Sequence, residues 1–190
     1  MLEVELKYRV ADALSLESLL QRLGAEFVET RDDVDRYFSA PDRNFATTDE
    51  AVRIRQAGDQ NFLTYKGPKL DTRTKTRSEL EVPLAAGSTV ADLAVQWLTA
   101  IRYQPAGEVR KRRDRYRLPR EQFHVEICHD EVEKLGHYLE LEILADESQL
   151  SQATEVLLHL AKELGLNDTE RRSYLQLLRE VSEVNRSDQE

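Results

Sequence analysis

A chain of 190 residues can bury one sizeable core, and with 40% hydrophobic and 33% charged residues it is globular but strongly charged. Its formal net charge of −9 argues against a dedicated nucleic-acid binder, whose phosphate contacts need a positive surface, while leaving room for a locally basic pocket. No apolar run approaches the roughly 20 residues that span a bilayer. Cys128 has no second cysteine to pair with, and the first residues carry no secretory leader, so the expectation is a soluble protein of the reducing cytoplasm.

In chain order, Glu3, Glu5 and Lys7 alternate with Val4 and Leu6, the period of a β-strand with one charged and one apolar face. Residues 12–24 read as a helix, with Leu16, Leu19, Leu20 and Leu23 on one stripe and Gly24 as its stop. Residues 25–40 read as a strand or two, with Asp35, Tyr37 and Ser39 on one face. Residues 41–50 read as a loop. Residues 51–55 and 62–66, joined through Gly58-Asp59, predict a β-hairpin that places Arg53 and Arg55 on one face. Residues 69–72 read as a mobile loop, after which Lys75, Arg77, Glu79 and Glu81 share a strand face.

Ser88 opens a second helix, with a predicted buried stripe of Val90, Leu93, Ala94, Trp97, Leu98 and Ile101. Residues 109–118 form a basic strand carrying charge on both faces, so periodicity does not say which side points inward. Residues 122–130 and 138–143 alternate again, and residues 148–164 predict a third helix. A short last helix carries Tyr174, Leu177, Leu178 and Val181, and the polar residues from Ser182 onward are expected to fray.

Strand after strand thus has one apolar and one charged face. Amphipathic helices can cover the apolar faces, but the charged faces need water, each other or a ligand. Either an open antiparallel sheet with a wet face or a closed barrel with a polar interior satisfies this. Segregation tilts the choice: acids cluster at Glu3, Glu5, Glu140 and Glu142, bases at Arg53, Arg55, Lys111 and Arg113. Separated charge of this kind can hold a hard cation on one wall and a polyphosphate on the other.

The run Glu3-Val4-Glu5-Leu6-Lys7 resembles the ExExK signature of the CYTH family, the triphosphate tunnel metalloenzymes. The resemblance continues in order through Asp35-Arg36-Tyr37-Phe38, Val52-Arg53-Ile54-Arg55, Leu63 to Pro68, Lys75 to Glu81, Lys111-Arg112-Arg113, Glu126, Asp130 and Tyr138 to Glu142. The segments Thr64 to Pro68 and Leu135 to Glu142 are most similar to the class IV adenylyl cyclase branch. The resemblance implies an α+β fold, a closed antiparallel eight-stranded β-barrel with helices packed outside, formed by a single domain over residues 1–181 with a disordered polar tail over 182–190.

It further implies Mg²⁺ or Mn²⁺ as cofactor, held among Glu3, Glu5, Glu140 and Glu142, with Asp130 and Glu126 as weaker candidates. Arg53, Arg55, Lys66, Lys75, Arg77, Lys111 and Arg113 would grip the phosphates. Arg77 is the least secure of these, since Glu79 or Glu81 can neutralise it. Lys7, with Glu3 and Glu5 in the catalytic set, would grip phosphate or act as a base, although neighbouring carboxylates should raise its pKa and make the neutral amine scarce. His124, His129, His137 and His159 lack a metal-binding spacing and read as structural or surface residues. Cys128 reads as packing.

The activity implied is ATP cyclisation to cyclic AMP and pyrophosphate. The alternatives are a triphosphatase acting on inorganic triphosphate, thiamine triphosphate or a nucleotide, and a non-catalytic polyphosphate-binding module. The partner implied is the triphosphate itself, without nucleic acid or membrane, and a homodimer is compatible with the sequence. Tyr37, Phe38 and Tyr65 can border a base pocket or belong to the core.

Overall fold

The computed structural model describes residues 2–70 and 73–187. Eight antiparallel strands form one sheet: β1 (Leu2–Arg9), β2 (Glu26–Ser39), β3 (Ala51–Ala57), β4 (Gln60–Lys66), β5 (Glu79–Leu84), β6 (Gln104–Arg120), β7 (Phe123–Val132) and β8 (Gly136–Ala145). Their order across the sheet is β1-β8-β7-β6-β2-β3-β4-β5. The 14 residues of β2 run as one strand along the 17 residues of β6, with register shifts at Phe27/Glu29 and Tyr37/Phe38. Such irregularities sharpen the local twist and bend a sheet.

The sheet curls into a half-barrel, and the closed barrel is not reached. β1 and β5 lie at opposite ends of the strand order. Regular pairing of β5 begins only at Glu79, so the residues before it pass β1 as an irregular segment. That segment forms a short seam: Glu3 and Arg77 exchange backbone hydrogen bonds of 3.2 Å, and the Lys75 amide donates to the Glu5 carbonyl at 3.0 Å. Farther along β1, the Glu170 amide donates to the Lys7 carbonyl at 2.7 Å, and Thr169 bridges to Tyr8. The edge of β1 is therefore covered from two places, which satisfies its backbone groups without a ladder.

Five α-helices accompany the sheet: α1 (Ala13–Arg22), α2 (Phe45–Thr48), α3 (Ser88–Ala100), α4 (Leu150–Glu163) and α5 (Tyr174–Ser187). Asp12 caps α1 by accepting from the Leu14 and Ser15 amides, each at 3.1 Å, and Leu16 and Leu20 point into the core as their spacing predicts. The outer faces of β1, β8, β7 and β6 pack Val4, Leu6, Ile127, Leu139 and Leu141 against Leu157 and Leu160 of α4. Residues 41–50 contain more than a loop, because Asn44 accepts from the Ala46 amide at 3.0 Å and starts the short α2.

Helix α3 departs from its predicted stripe. It rests on β3 through Ala91 and Leu98, whereas Leu93, Trp97 and Ile101 stay exposed, and Leu93 and Trp97 border an apolar groove with Leu63 of β4 and Leu84 of β5. Helix α5 is also longer than its sequence suggests, running to Ser187, and residues 188–190 of the predicted tail lie outside the described residues. Of the predicted mobile loop, residues 71 and 72 lie outside them as well. Among the described residues, no helix is long and apolar enough to cross a membrane.

Candidate active site

Strand alternation with the helices outside turns the charged faces inward, where they line a groove of about 940 Å³. On β6 the sequence left the inward side open. The structure turns Lys111 and Arg113 in and leaves Arg112 exposed, because Tyr116 and Leu118 of the opposite parity belong to the core.

The acids converge although they come from opposite ends of the chain. Glu5 of β1 stands opposite Glu142 of β8, and Glu142 stands opposite Glu126 of β7, so three carboxylates share one cross-strand row. One step along, Lys7 faces Glu140, and Glu140 faces Cys128. Ligand atoms of Glu126, Cys128 and Glu142 lie within 4.8 Å of one another. Among the described residues Glu142 forms no salt bridge. Burial, with Glu3 and Glu140 close by, pushes its carboxyl well above the ordinary range. Glu3 is also raised, by burial, although Lys66 opposes the shift. Glu126 is raised by burial but pulled down further by Arg115, which donates at 2.8 and 3.2 Å. Carboxylates brought together in this way, with Glu142 lacking a cation among the described residues, form the arrangement a hard divalent cation relieves.

The remaining predicted acids are engaged by cations. Asp130 accepts from Arg113 through both oxygens at 2.6 Å, from Lys111 at 3.1 Å and from the Tyr174 hydroxyl at 2.9 Å. Its carboxylate orients the basic wall, with three of these four bonds on Oδ2 and one on Oδ1. Glu140 is held by Arg113, and Glu5 by Lys75 at 2.6 Å. Lys66 bridges Glu3, at 3.1 Å, and Glu79.

The predicted phosphate grips all line this groove, and most are paired within it. Arg55 makes two bonds to Asp35, at 2.7 and 2.8 Å, and Arg53 reaches the same carboxylate at 3.2 Å. Burial opposes the charge on Asp35, but the two guanidiniums hold its pKa far below the usual carboxylate range. Arg77 is the exception to the pairing. Glu79 is taken by Lys66, and Glu81 accepts from Thr64 at 3.2 Å, so neither neutralises Arg77. Among the described residues Arg77 forms no salt bridge, and the buried Nε atoms of Arg77 and Arg53 have no acceptor.

Lys7 reverses its expectation. It is 1% exposed, donates to the Arg172 carbonyl at 2.6 Å, and sits 4.0 Å from the Tyr174 ring centroid. Burial and the neighbouring Lys75 push its pKa well below that of an ordinary lysine, outweighing Glu140 and Glu5. Lys75 takes the opposite course: burial lowers it, but Glu5 and Glu140 together raise it above its ordinary value.

Sequence reasoning missed four participants. Asp35 was visible only as one member of an alternating face, and Asp33, its buried neighbour on that face, was not singled out. Tyr174 looked like a helix stripe residue. Its hydroxyl binds Asp130, and its ring is close to Lys7 and, at 5.3 Å, to Lys111. His124, read as structural or surface, borders the groove. His129 and His137 instead bond each other at 3.2 Å. Tyr37 and Phe38 belong to core clusters and also line the groove, whereas Tyr65 donates to Glu50 at 2.7 Å. Burial pushes the Cys128 thiol up, so it is a poor nucleophile.

The family model of the CYTH domain matches residues 1–174. The chain belongs to the CYTH family. It is 34% identical over 180 residues to a Methanocaldococcus jannaschii protein named "putative adenylate cyclase", covering 93% of this chain and 98% of that one. Among solved structures, a Pyrococcus horikoshii protein is 37% identical with a TM-score of 0.82, covering 94% of this chain and 98% of the other. A Hippeastrum "putative adenylyl cyclase", said to reveal a dominant triphosphatase activity, shares the fold at 19% identity and a TM-score of 0.66, covering 94% and 95%.

Proposed function

We propose that this CYTH protein is a metal-dependent enzyme acting on a triphosphate, and that its reaction is cyclisation of ATP to cyclic AMP and pyrophosphate. The observation that carries the reading is the convergence of Glu5, Glu142 and Glu126, with Glu142 in no salt bridge among the described residues, in a groove lined by seven predicted cationic grips. A non-catalytic polyphosphate binder gains nothing from buried, mutually repelling carboxylates.

Glu142, Glu126, Glu5 and Glu3 are the residues that would hold Mg²⁺ or Mn²⁺, and Cys128 adds a soft donor beside them. Asp130 is assigned to orienting Arg113 and Lys111, and Glu140 shares that task. The bound ion would supply charge neutralisation and a more acidic hydroxyl. The chain's own residues supply the rest. Arg53, Arg77 and Lys66 take phosphate oxygens, Arg113 and Lys111 are held in place by Asp130, and the leaving pyrophosphate stays against that wall. Burial and the Lys75 charge lower the Lys7 pKa from its ordinary value, and Lys7 is assigned the role of proton acceptor inside the groove.

Hydrolysis is the second reading, favoured by one feature: the Glu126 side chain is 37% exposed, so water reaches the acid row. Product analysis separates the two. Incubation of ATP with the protein and Mg²⁺ or Mn²⁺, resolved by chromatography, should give cyclic AMP and pyrophosphate. ADP and orthophosphate as the only products would replace cyclase by triphosphatase. No turnover of ATP, inorganic triphosphate or thiamine triphosphate would refute both.

A further inference from the structure

A second cluster of metal-ligating side chains stands on the outer face of the sheet. His129 of β7 shares the parity of Phe123, Val125 and Ile127, which belong to the core, so it points to the opposite side of the sheet from Glu126, Cys128 and Asp130. His137 opens β8 and shares the face of Leu139 and Leu141, which pack in the same core. His129 pairs with Leu139 and His137 with Glu131, so the two imidazoles are diagonal neighbours on one face of the β7–β8 hairpin. Nδ1 of His137 lies 3.2 Å from Nε2 of His129, and the ring centroids are 5.2 Å apart. Asp114 of β6 stands opposite His129. Its Oδ1 accepts from the Thr30 hydroxyl at 2.5 Å, and its Oδ2 lies 3.7 Å from Nδ1 of His129. The His137 carbonyl accepts from the Val10 amide at 2.9 Å, so the backbone beneath that ring is held by β7 on one side and by Val10 on the other. None of the three side chains lines the groove, and solvent reaches them: the His129 side chain is 14% exposed and that of Asp114 29%.

A hydrogen bond between the rings fits the 3.2 Å separation, and so does a shared ion. Two imidazoles that bind one tetrahedral ion at about 2.0–2.1 Å hold their ligating nitrogens about 3.3 Å apart. The hydrogen bond places one proton between the two nitrogens, and the ring that carries it can release it by changing tautomer, with no change of charge. Asp114 favours the His129 tautomer protonated on Nδ1, which turns the Nε2 lone pair toward His137. A carboxylate behind the far nitrogen is the usual partner of a ligating histidine. We propose that Nε2 of His129 and Nδ1 of His137 bind one divalent transition-metal ion such as Zn²⁺, with Asp114 as a positioning residue and water in the remaining positions. Imidazole nitrogens suit Zn²⁺, Ni²⁺ or Cu²⁺ rather than Mg²⁺, so the site differs in chemistry from the acid row as well as in place. Its ligands come from two strands, which is why no spacing in the sequence displays it. On their other faces β7 and β8 carry Glu126 and Asp130, and Glu140 and Glu142, so the ion would tie together the two strands that present those acids.

The test is calorimetric titration with Zn²⁺ at neutral pH in excess Mg²⁺, so that the oxygen-rich groove is offered the ion it prefers. The proteins are the parent, His129→Gln, His137→Gln, Asp114→Asn and, on the exposed side of α4, His159→Gln. The parent should take up a Zn²⁺ that His129→Gln and His137→Gln each bind about tenfold or more weakly. Asp114→Asn should also lose about tenfold, and His159→Gln should stay within about twofold of the parent. Nitrogen NMR of the imidazoles supplies the second readout. In the parent, Zn²⁺ should shift Nε2 of His129 and Nδ1 of His137, and in the ion-free protein Asp114→Asn should lower the share of His129 protonated on Nδ1. The zinc-induced shifts need the parent alone, so they decide the matter even if a variant fails to fold. No Zn²⁺ uptake by the parent, an affinity unchanged in either His129→Gln or His137→Gln, or ring nitrogens left unshifted would overturn the site. An Asp114→Asn protein with the affinity and tautomer of the parent would overturn the role given to Asp114.

Discussion

Asp35→Asn isolates the charge that holds the basic wall. Asn keeps the shape of Asp, so the change removes one negative charge and little volume. In the native protein that charge serves two buried guanidiniums, Arg55 at 2.7 and 2.8 Å and Arg53 at 3.2 Å. The next carboxylate available to Arg55 is Asp33, at 3.9 Å, too far to replace a bidentate bond. Removing one partner of a buried pair costs about 3–5 kcal/mol, because the other charge stays desolvated. At about 2–4 °C per kcal/mol for a protein of this size, the melting temperature should fall by roughly 10 °C. The pH dependence has a definite sign. The Asp35 pKa is depressed in the folded state, so its contribution is present above the unfolded carboxylate range and is lost only as pH falls through the lower folded value. The gap between parent and variant should therefore persist undiminished from neutrality to about pH 5. Tripolyphosphate should narrow it, since phosphate oxygens supply the anion the variant lacks. Thermal melts across this range decide the matter. A loss below about 1 kcal/mol would place the two arginines in effectively wet surroundings and refute the assignment of a desolvated wall.

Arg77→Ala should reduce the stabilisation by tripolyphosphate while barely changing the melting temperature of the empty protein, because Arg77 forms no salt bridge among the described residues. In the parent, a triphosphate at 100 times its dissociation constant should add about 2.7 kcal/mol, and AMP at matched ionic strength should add much less in a melt. Glu142→Gln should raise the stability of the metal-free protein and reduce turnover by more than about a hundredfold. The parent without metal should also gain stability as pH falls from neutrality, because the raised Glu142 pKa makes the folded state bind more protons than the unfolded one. Tyr174→Phe removes a bond to Asp130 and should cost about 1 kcal/mol in denaturant unfolding, with the Lys7 contact to the ring kept.

Period-2 alternation made the inner face legible. Every residue chosen as a phosphate grip lines the groove, and so do Glu3, Glu5, Glu126, Glu140 and Glu142. Alternation places a side chain on a face but says nothing of its partner on another strand. That limit explains why Asp130, a weaker metal candidate in the sequence, gave no sign of its bonds to Arg113, Lys111 and Tyr174. It also explains Arg77, whose apparent neutralisers are committed to Lys66 and Thr64 across the sheet. Closure of the barrel depended on where β5 stops pairing, a backbone property that no side-chain pattern carries. The stripe of α3 shows the converse: its apolar spacing is genuine, but the helix packs through Ala91 and Leu98 and leaves Leu93 and Trp97 exposed.

Lys7 shows most clearly how burial and pairing compete in this groove. Sequence proximity to Glu5 argues for a raised pKa, yet Glu5 is engaged by Lys75 at 2.6 Å, and Lys75 then acts on Lys7 as a like charge. With desolvation added, the folded pKa falls below the unfolded value of about 10.4, so the folded protein binds fewer protons than the unfolded chain between the two values. An anion entering the groove reverses the balance, because its charge favours the protonated amine. Tripolyphosphate binding in the absence of divalent metal should therefore take up protons, in a pH range above the depressed Lys7 value. Calorimetric titration at one pH in buffers of different ionisation enthalpy measures the number taken up. Arginines contribute nothing to it, since they stay charged throughout. Lys7→Met should abolish most of the uptake, and Arg77→Ala should leave it unchanged while weakening the affinity. Uptake that is absent in the parent, or equal in parent and Lys7→Met, would mean that Lys7 is already charged in the empty groove, and the proton-accepting role given to it would fall.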